Sequence, residues 1–408
     1  MRDHLPTFSI SHTAKHTKSL LPHLIPKHLI TPPYPNPPPT MAALPTLTSH
    51  TFTHDDDTKK TFYWSAGPAS GPLLIFIHGW PANGSTWTPQ LLALAALGFR
   101  TIAPDTRGYG RSSVPAASGD DENKRAYALS EHVGDMLALL AHLRRPRAVW
   151  LGHDWGAGLV WALAAAHPEA CAGAAGMAVP YGVLEGGGLE KLVRLSDRDV
   201  YPEDAGYPLA QWDYQAFHAE EPARSAALLR ADVPNTLRWI YRPGSPAAFG
   251  KPAFTARMRE AGGWFGGRES APETAVGETL FARYDGAMFD GLVAEFERNG
   301  FEGPNAYYLN HDVNREYLKD APNGGHLHFP VLFIEAKWDN ICDTAVSRLA
   351  EPMRESCSNL TEVSIDAGHW VALEKPEETN AAIVRWIATK LPHYFPGYWK
   401  TPFVSSVL

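Results

Sequence analysis

The stretch WLGHDWGAG at positions 150–158 carries an aspartate where its layout suggests a reactive side chain. Glycines flank Asp154 at positions 152, 156 and 158, and small residues of this kind allow the sharp strand-to-helix turn that exposes a nucleophile. A carboxylate is a poor nucleophile toward amides and gains little by attacking an ester, but it can displace a leaving group from a saturated carbon. The product is an alkyl ester of the protein. Water can then attack the carbonyl carbon of this ester. The stretch therefore predicts substitution at an sp3 carbon, followed by hydrolysis.

Two further residues follow Asp154 in the order nucleophile, acid, histidine. Asp339 ends the run FPVLFIEAKWD, and His369 lies in NLTEVSIDAGHW. The histidine can activate water, while the second acid holds the imidazole in the required tautomer and stabilises it when protonated. Glu335 and Asp343 are the alternatives to Asp339, but Glu335 falls inside the predicted strand and Asp343 lies beyond its end. The three residues Asp154, His369 and Asp339 are therefore the predicted catalytic set.

The motif HGWP at 78–81 predicts where the oxyanion of the hydrolytic step is bound. Proline has no N–H, so the backbone N–H of Trp80 is one predicted donor and the backbone N–H of Trp155 is the other. The bond from Trp80 to Pro81 is predicted to be cis, since X-Pro bonds are where cis peptides occur. His153 is expected to pack at the turn rather than to act as a second base.

Strand-like and helix-like runs alternate on both sides of these residues. Helices are expected over 88–98, roughly 128–144, 156–167 and 378–391, and strands over 51–54, 60–64, 73–79, 99–105, 148–154, 170–180, 329–339 and 359–370. Such alternation predicts an α/β fold with a mostly parallel sheet and helices on both faces, and with reactive groups at the carboxyl ends of the strands. Asp105 and Arg107 are expected to brace a loop as a pair.

The alternation stops between residues 181 and 325, and this break predicts the domain organisation. Residues 47–180 and 326–395 form the predicted core, and 181–325 form an inserted, mainly helical cap. Residues 1–46 are rich in proline and form a predicted disordered extension. Residues 396–408 form a predicted tail.

Composition excludes several classes of function. The formal charge of −8 argues against nucleic acid as a partner. The sequence contains no run of about 18 apolar residues, so no stable membrane span is predicted. His326 and His328 lack a third ligand at a suitable spacing, so no metal site is predicted, and the chemistry needs no cofactor. The three cysteines favour a reducing compartment without a disulfide framework: Cys171, Cys342 and Cys357. A cytoplasmic location is expected, with organellar import through the basic N-terminal extension as the alternative. Oligomeric state is not indicated.

Two leaving groups fit an aspartate nucleophile: the oxygen of a strained cyclic ether, or a halide. A departing alkoxide needs a proton, whereas a halide needs only a weakly solvating pocket. A neutral acid opposite Asp154 would therefore favour the cyclic ether. Tyrosine suits this role, because its pKa near ~10 keeps it protonated at neutral pH.

Two segments of the predicted cap make the choice, through a resemblance to a known family. QWDYQAFHAEEP (211–222) and GFEGPNAYYLN (300–310) resemble the cap motifs of the soluble epoxide hydrolases of the α/β-hydrolase fold, and HGWP, GHDWGA, EAKWD and AGHW match that family's core motifs. The resemblance covers roughly residues 46–395. It implies an α/β-hydrolase core with a cap, an epoxide and water as reactants, and Tyr214 and Tyr308 as the groups that bind the epoxide oxygen. Tyr307 replaces the family's usual tryptophan and is the alternative to Tyr308.

The cap motifs depart from the family pattern in two places: FHAEEPA is one residue longer than the usual run, and Ala306 replaces an asparagine, although Asn305 lies beside it. Both departures concern the register of the cap. Aromatic residues predict an apolar substrate pocket: Trp80, Trp155, Trp212, Phe217 and Tyr307.

Two other functions are compatible with parts of the pattern. A haloalkane dehalogenase would use the same acid–histidine set, with the indole N–H of Trp155 binding the halide. A non-catalytic ligand receptor on the same fold would have no need of an aspartate nucleophile. The cap tyrosines favour the epoxide hydrolase.

Overall fold

The computed structural model describes residues 45–54, 59–117 and 121–399. Of the extension predicted over residues 1–46, only residues 45 and 46 are described, and of the tail predicted over 396–408, only residues 396–399 are described. Within the described part, eight strands form one sheet: β1 (Thr48–Thr53), β2 (Lys60–Ala66), β3 (Leu73–Ile77), β4 (Arg100–Pro104), β5 (Ala148–His153), β6 (Cys171–Met177), β7 (Val331–Ala336) and β8 (Leu360–Ile365).

The sheet is mostly parallel, as predicted. Its strand order is β1-β2-β4-β3-β5-β6-β7-β8. The first strand pairs antiparallel with the second, and the second pairs antiparallel with β4, while all pairs from β4 to β8 are parallel. Parallel strands direct their carboxyl ends to one edge of the sheet, so the residues that follow β3, β5, β7 and β8 are brought to the same side.

Both faces of the sheet are covered, which explains the continuous apolar runs. In β3, Leu73, Ile75 and Ile77 pack into one buried cluster, while Leu74 and Phe76 pack into the cluster on the opposite face. Successive side chains of a strand point to opposite faces, so a strand that is buried twice must be apolar at every position. Each such side chain contributes about 1.5–3 kcal/mol through burial.

Fourteen α-helices surround and extend this sheet in the described residues: α1 (Thr88–Ala96), α2 (Asp121–Arg125), α3 (Leu129–His142), α4 (Trp155–Ala166), α5 (Gly188–Leu195), α6 (Asp213–Glu220), α7 (Pro222–Arg230), α8 (Val233–Ile240), α9 (Gly286–Asn299), α10 (Glu302–Ala306), α11 (His311–Leu318), α12 (Glu351–Ser356), α13 (Val371–Glu374) and α14 (Pro376–Lys390). The helices α3 and α4 contribute to the cluster on one face of the sheet, and α1 and α14 to the cluster on the other. None of the helices in the described ranges has the length and apolar character that crossing a bilayer requires.

The chain between β6 and β7 runs from residue 178 to residue 330 and contains the helices α5 to α11, several short 3₁₀ turns and no strand. This segment, called the cap below, is inserted between two neighbouring parallel strands. The fold is thus an α/β core with an inserted, mainly helical cap, as predicted.

Candidate active site

Asp154 occupies a sharp turn between β5 and α4. Its backbone has φ 55° and ψ −125°, an unusual conformation for a residue with a side chain. Such backbone conformations cost about 1–3 kcal/mol and persist where the surrounding structure requires them. Close packing provides that requirement, because a Cβ atom at Gly152 would lie 2.3 Å from the carbonyl oxygen of Gly156, and one at Gly156 would lie 2.2 Å from that of Ile77. The predicted strand-to-helix turn is therefore present, and glycine is needed at these two positions.

The carboxylate of Asp154 is held by backbone N–H groups. The N–H of Trp80 donates to Oδ1 at 2.7 Å, and the N–H of Trp155 donates to the carboxylate as well. The Trp80–Pro81 peptide is cis, which confirms that prediction. Burial raises the pKa of Asp154, although the charge of His369 and the two N–H groups oppose this shift.

His369 lies between the two predicted acids. Its Nδ1 is 2.6 Å from Oδ2 of Asp339, and its Nε2 is 3.7 Å from Oδ2 of Asp154. Burial alone would lower the pKa of His369, but the charge of Asp339, its hydrogen bond and the charge of Asp154 raise that pKa to about 9. The alternatives to Asp339 are occupied elsewhere: Glu335 accepts from the hydroxyl of Thr344, and Asp343 accepts the N–H groups of residues 345 and 346.

Asp339 is a buried acid with satisfied oxygens. Its Oδ1 accepts the N–H of Ile341 at 2.9 Å and that of Cys342 at 3.0 Å. Burial would raise the pKa of Asp339, but the charge and hydrogen bond of His369 outweigh it and lower the pKa. Among the described residues, Asp339, Cys342 and His369 form the one cluster of three potential metal ligands, and two of them already make the acid–imidazole hydrogen bond.

Tyr214 and Tyr308 come from different parts of the cap and meet above Asp154. Tyr214 lies in the first turn of α6, and Tyr308 lies in the 3₁₀ turn that follows α10. Their rings are 5.5 Å apart, and both line the cavity that contains the Asp154 carboxylate. Burial raises the pKa of both phenols well above the ordinary value. Both groups are therefore neutral proton donors at physiological pH.

Tyr307, the predicted alternative to Tyr308, points elsewhere. Its hydroxyl lies 2.9 Å from Oγ1 of Thr106 and donates to the carbonyl of Arg107 at 3.2 Å. Its ring packs against His132 at 4.4 Å. Tyr307 is thus tied to the core, and it does not line the cavity.

The cavity has a volume of about 320 Å³ and lies between core and cap. Apolar and aromatic side chains form most of its wall, with the acid–histidine set at one end. Its lining includes the side chains of Trp80, Asp154, Tyr214, Tyr308, Asp339 and His369. A cavity of this kind suits a small apolar molecule with one polar reacting group.

Four of the five predicted pocket residues lie outside the lining of this cavity. Only Trp80 belongs to it, while Trp155, Trp212, Phe217 and Tyr307 are buried behind it. The indole N–H of Trp212 donates to Oγ of Ser196 at 2.9 Å, so this side chain serves packing within the cap. The prediction took aromatic residues near the motifs to be pocket residues, whereas these four complete the layer that supports the wall.

Other aromatic residues form the wall instead, and the sequence argument missed them. Trp239, Phe254 and Trp264 come from the cap between α7 and α9, and Trp338 and Ile341 flank Asp339. Trp264 stacks on Trp80 with ring centroids 5.1 Å apart. The cap residues belong to no motif, and the only available signal was the density of tryptophan in that segment.

One cap segment also anchors the loop that carries His369. Oε2 of Glu374 accepts the N–H of Gly244 in the cap at 2.9 Å and the N–H of Gly368 at 3.0 Å. Tyr241 stacks on Trp370 with ring centroids 3.9 Å apart. The hydroxyl of Tyr241 donates to the carbonyl of residue 81 at 2.7 Å. The segment 240–244 therefore contacts both the loop that carries His369 and the loop that carries Trp80 and Pro81.

His153 packs at the turn, as expected. Its Nε2–H donates to the carbonyl of His369 at 2.6 Å, and burial lowers the pKa of His153 to about 3. The ring is therefore neutral and supports the backbone of His369.

Comparison with known proteins places this geometry in a family. Residues 72–376 match the family described as the alpha/beta hydrolase fold. Epoxide hydrolase A of Mycobacterium tuberculosis is 32% identical over 333 residues, covering 79% of this chain and 92% of that protein. Epoxide hydrolase B of the same species is 30% identical over 347 residues, covering 79% and 93%. The crystal structure of epoxide hydrolase A from Mycobacterium thermoresistibile aligns with a TM-score of 0.62 at 28% identity, covering 84% of this chain and 99% of that chain. The chain belongs to the epoxide hydrolase family of the α/β hydrolase fold.

Proposed function

We propose that this epoxide hydrolase converts an epoxide to a vicinal diol through an ester on Asp154, which water activated by His369 then hydrolyses. The position of the Asp154 carboxylate carries the proposal. One oxygen accepts the Trp80 N–H at 2.7 Å, and the other lies 3.7 Å from Nε2 of His369. The N–H donor and the base therefore both lie next to the carbonyl group of the ester once it has formed.

In the first step, the carboxylate of Asp154 attacks a ring carbon and the carbon–oxygen bond of the epoxide breaks. The departing oxygen is a strongly basic alkoxide in an apolar cavity, and it takes a proton from the pair Tyr214 and Tyr308. Both phenols face the cavity, and their raised pKa keeps them protonated until the alkoxide forms. The step leaves an ester, a new hydroxyl group and a tyrosinate.

In the second step, His369 acts as a base because the ester has removed a charge. The negative charge of Asp154 helps to raise the pKa of His369 to about 9 in the free enzyme, so esterification lowers that pKa. The imidazolium then gives its own proton to the tyrosinate and becomes neutral. It accepts a proton from water as the water attacks the ester, and the N–H groups of Trp80 and Trp155 bind the oxyanion. The tetrahedral species then collapses: the ester carbon–oxygen bond breaks, the departing diol oxygen takes the second proton of the attacking water, and the carboxylate of Asp154 is restored beside the imidazolium.

A single turnover in water enriched in ¹⁸O tests the covalent route. The new hydroxyl oxygen of the diol is expected to come from Asp154, so the first diol formed by excess enzyme carries no label. The label is expected in the Asp154 carboxylate, where mass spectrometry of the proteolysed protein detects it. A second turnover should then transfer label to the diol. Labelled diol from the first turnover would contradict the proposal, because direct attack by water on the epoxide gives that result.

Replacement of either cap tyrosine should slow ring opening. Tyr214→Phe and Tyr308→Phe are each expected to reduce the rate of ester formation by roughly 10- to 10⁴-fold, the range for losing a general acid. Rapid-mixing experiments with excess enzyme measure this rate directly, and Tyr307→Phe is the matched control because its hydroxyl faces the core. Unchanged rates in both variants, together with halide release from haloalkanes, would favour the dehalogenase. That alternative also needs the indole N–H of Trp155, which is instead hydrogen-bonded to the hydroxyl of Tyr308.

The substrate is proposed to be a small apolar epoxide, which reacts with water and needs no cofactor. The aromatic wall supports this class, and lipid, terpene and aryl epoxides all belong to it. A panel of such epoxides, assayed for diol beside haloalkanes assayed for halide, identifies the preferred substrate.

We also propose that the protein is cytoplasmic and that its core and cap have the boundaries predicted from the sequence. The division into a core at 47–180 and 326–395 and a cap at 181–325 agrees with the insertion between β6 and β7. A cytoplasmic location is consistent with three buried cysteines that form no disulfide among the described residues. Expression with a fluorescent tag at the C-terminus would test this location against organellar import.

A further inference from the structure

Tyr214 has a hydrogen-bond partner that the proposed mechanism has not used. Gln215, the next residue in α6, is buried, and its Nε2 donates to the Tyr214 hydroxyl oxygen at 3.3 Å. Oε1 of Gln215 lies 3.0 Å from Nε2 of His311, the first residue of α11. A chain of hydrogen bonds therefore runs from His311 through Gln215 to Tyr214, and it joins two separate helices of the cap.

The direction of this chain follows from the second ring nitrogen of His311. Burial lowers the pKa of His311 to about 4, so the ring carries a single proton at neutral pH. Its Nδ1 is buried and has no hydrogen-bond partner within the described part of the chain. If Nε2 carries the proton and donates to Gln215, Nδ1 is an unpaired acceptor. If Gln215 instead donated to Nε2, the proton would be on Nδ1, which would then be an unpaired N–H. Buried unpaired N–H groups are the rarer and costlier case, so His311 donates to Gln215.

We infer that His311 and Gln215 are positioning residues that direct the hydroxyl proton of Tyr214 toward the epoxide oxygen. A tyrosine hydroxyl has one proton and accepts through its oxygen lone pairs. Because Gln215 donates to that oxygen, the proton of Tyr214 points away from Gln215, on the side of the hydroxyl that faces the cavity and Tyr308. The same N–H stabilises the tyrosinate while the alkoxide takes the proton. No proton moves along the chain itself.

This inference rests on the proposed role of Tyr214, and a double-mutant cycle tests the two separately. Gln215→Met has a similar length but no donor, and it is expected to slow ester formation by about 10-fold, since hydrogen bonds to charged groups are stronger than neutral ones. In a Tyr214→Phe background the same change should alter the rate by less than about 2-fold, because the group it positions is gone. Hydrolysis of the ester, measured after adduct formation, should be unchanged.

Two further variants sharpen the cycle. Gln211→Met is the matched control, because Gln211 is a buried cap glutamine whose amide has no partner in the described residues. It should leave ester formation within about 2-fold of the unmodified enzyme. His311→Phe keeps the ring that packs beside Trp155 but removes the donor, so it should slow ester formation and add nothing to Gln215→Met. It also carries the test if Gln215→Met does not fold.

Three outcomes would overturn the inference. An unchanged rate in Gln215→Met would do so, and so would an equal slowing in the presence and absence of the Tyr214 hydroxyl, which indicates a general packing defect. A silent Tyr214→Phe variant would remove its basis. Covalent adduct on Asp154 would still form in all three cases, so these outcomes are distinct from failure of the proposed ester mechanism.

Discussion

The His369→Gln enzyme is expected to accumulate a covalent adduct with the epoxide. Asp154 and the cap tyrosines remain in place, so ring opening proceeds, but the water that must attack the ester has lost its base. Loss of a general base slows a step by about 10²- to 10⁴-fold, so the ester becomes the dominant species. Mass spectrometry of the intact protein after mixing with an epoxide should show an increase equal to the mass of the epoxide, and peptide mapping should place it on Asp154.

A second variant provides the control for this experiment. The combination of Asp154→Ala with His369→Gln should show no mass increase, which excludes alkylation of another nucleophile. Slow formation of diol by His369→Gln, without any adduct on the protein at any time, would contradict the covalent scheme.

The Asp154→Ala enzyme should lose nearly all turnover while remaining folded. Removing the attacking atom leaves only binding and polarisation by the remaining groups, and the loss of a covalent nucleophile costs about 10⁴- to 10⁶-fold in kcat. Diol formation at high enzyme concentration measures this residual rate. Activity within about 10-fold of the unmodified enzyme would require another nucleophile and would contradict the assignment.

The Asp154→Ala substitution is also expected to affect the stability of the folded protein. Burial raises the pKa of Asp154 in the folded protein, so the folded state holds the proton more tightly than the unfolded state. Such a group contributes stability at low pH that is lost as the pH rises, and its ionised form therefore disfavours folding at pH 7. We expect the melting temperature of Asp154→Ala at pH 7 to equal or exceed that of the unmodified protein. A large decrease would indicate that the lost activity reflects misfolding.

The core could be predicted because its physical signals are local in the sequence. A strand such as β3 is buried on both faces and is therefore apolar at every position. The residues that end β5 and follow β7 and β8 must meet at one edge of a parallel sheet, so the proximity of Asp154, Asp339 and His369 followed from strand order. The cis peptide at Trp80–Pro81 was predicted from chemistry and is confirmed.

The cap wall could not be predicted in the same way, since its position depends on tertiary packing. Short helices and 3₁₀ turns with little periodicity bring Trp239, Phe254 and Trp264 to the cavity. The predicted pairing of Asp105 with Arg107 is wrong for a related reason. Arg107 binds Asp135 of α3 at 2.8 Å and Glu131 at 2.9 Å. Oδ1 of Asp105 accepts the N–H of residue 84 at 2.9 Å. Both residues brace loops, but their partners are distant in the sequence.

Residues 240–244 are attached to the loop that carries His369 and to the loop that carries Trp80. This attachment constrains how a substrate reaches the cavity. An outward rotation of the whole cap would break the stacking of Tyr241 on Trp370 and its hydrogen bond to the carbonyl of Pro81. The loops that carry His369 and Trp80 would then lose this support in every catalytic cycle. Entry is instead expected beside this tether, past the exposed side chains of Arg242 and Phe254, which border the cavity. An entrance of constant width selects substrates by their cross-section before they reach the reacting groups. Narrow epoxides should therefore have a higher kcat/KM than bulky ones, even when both react equally fast after they have bound.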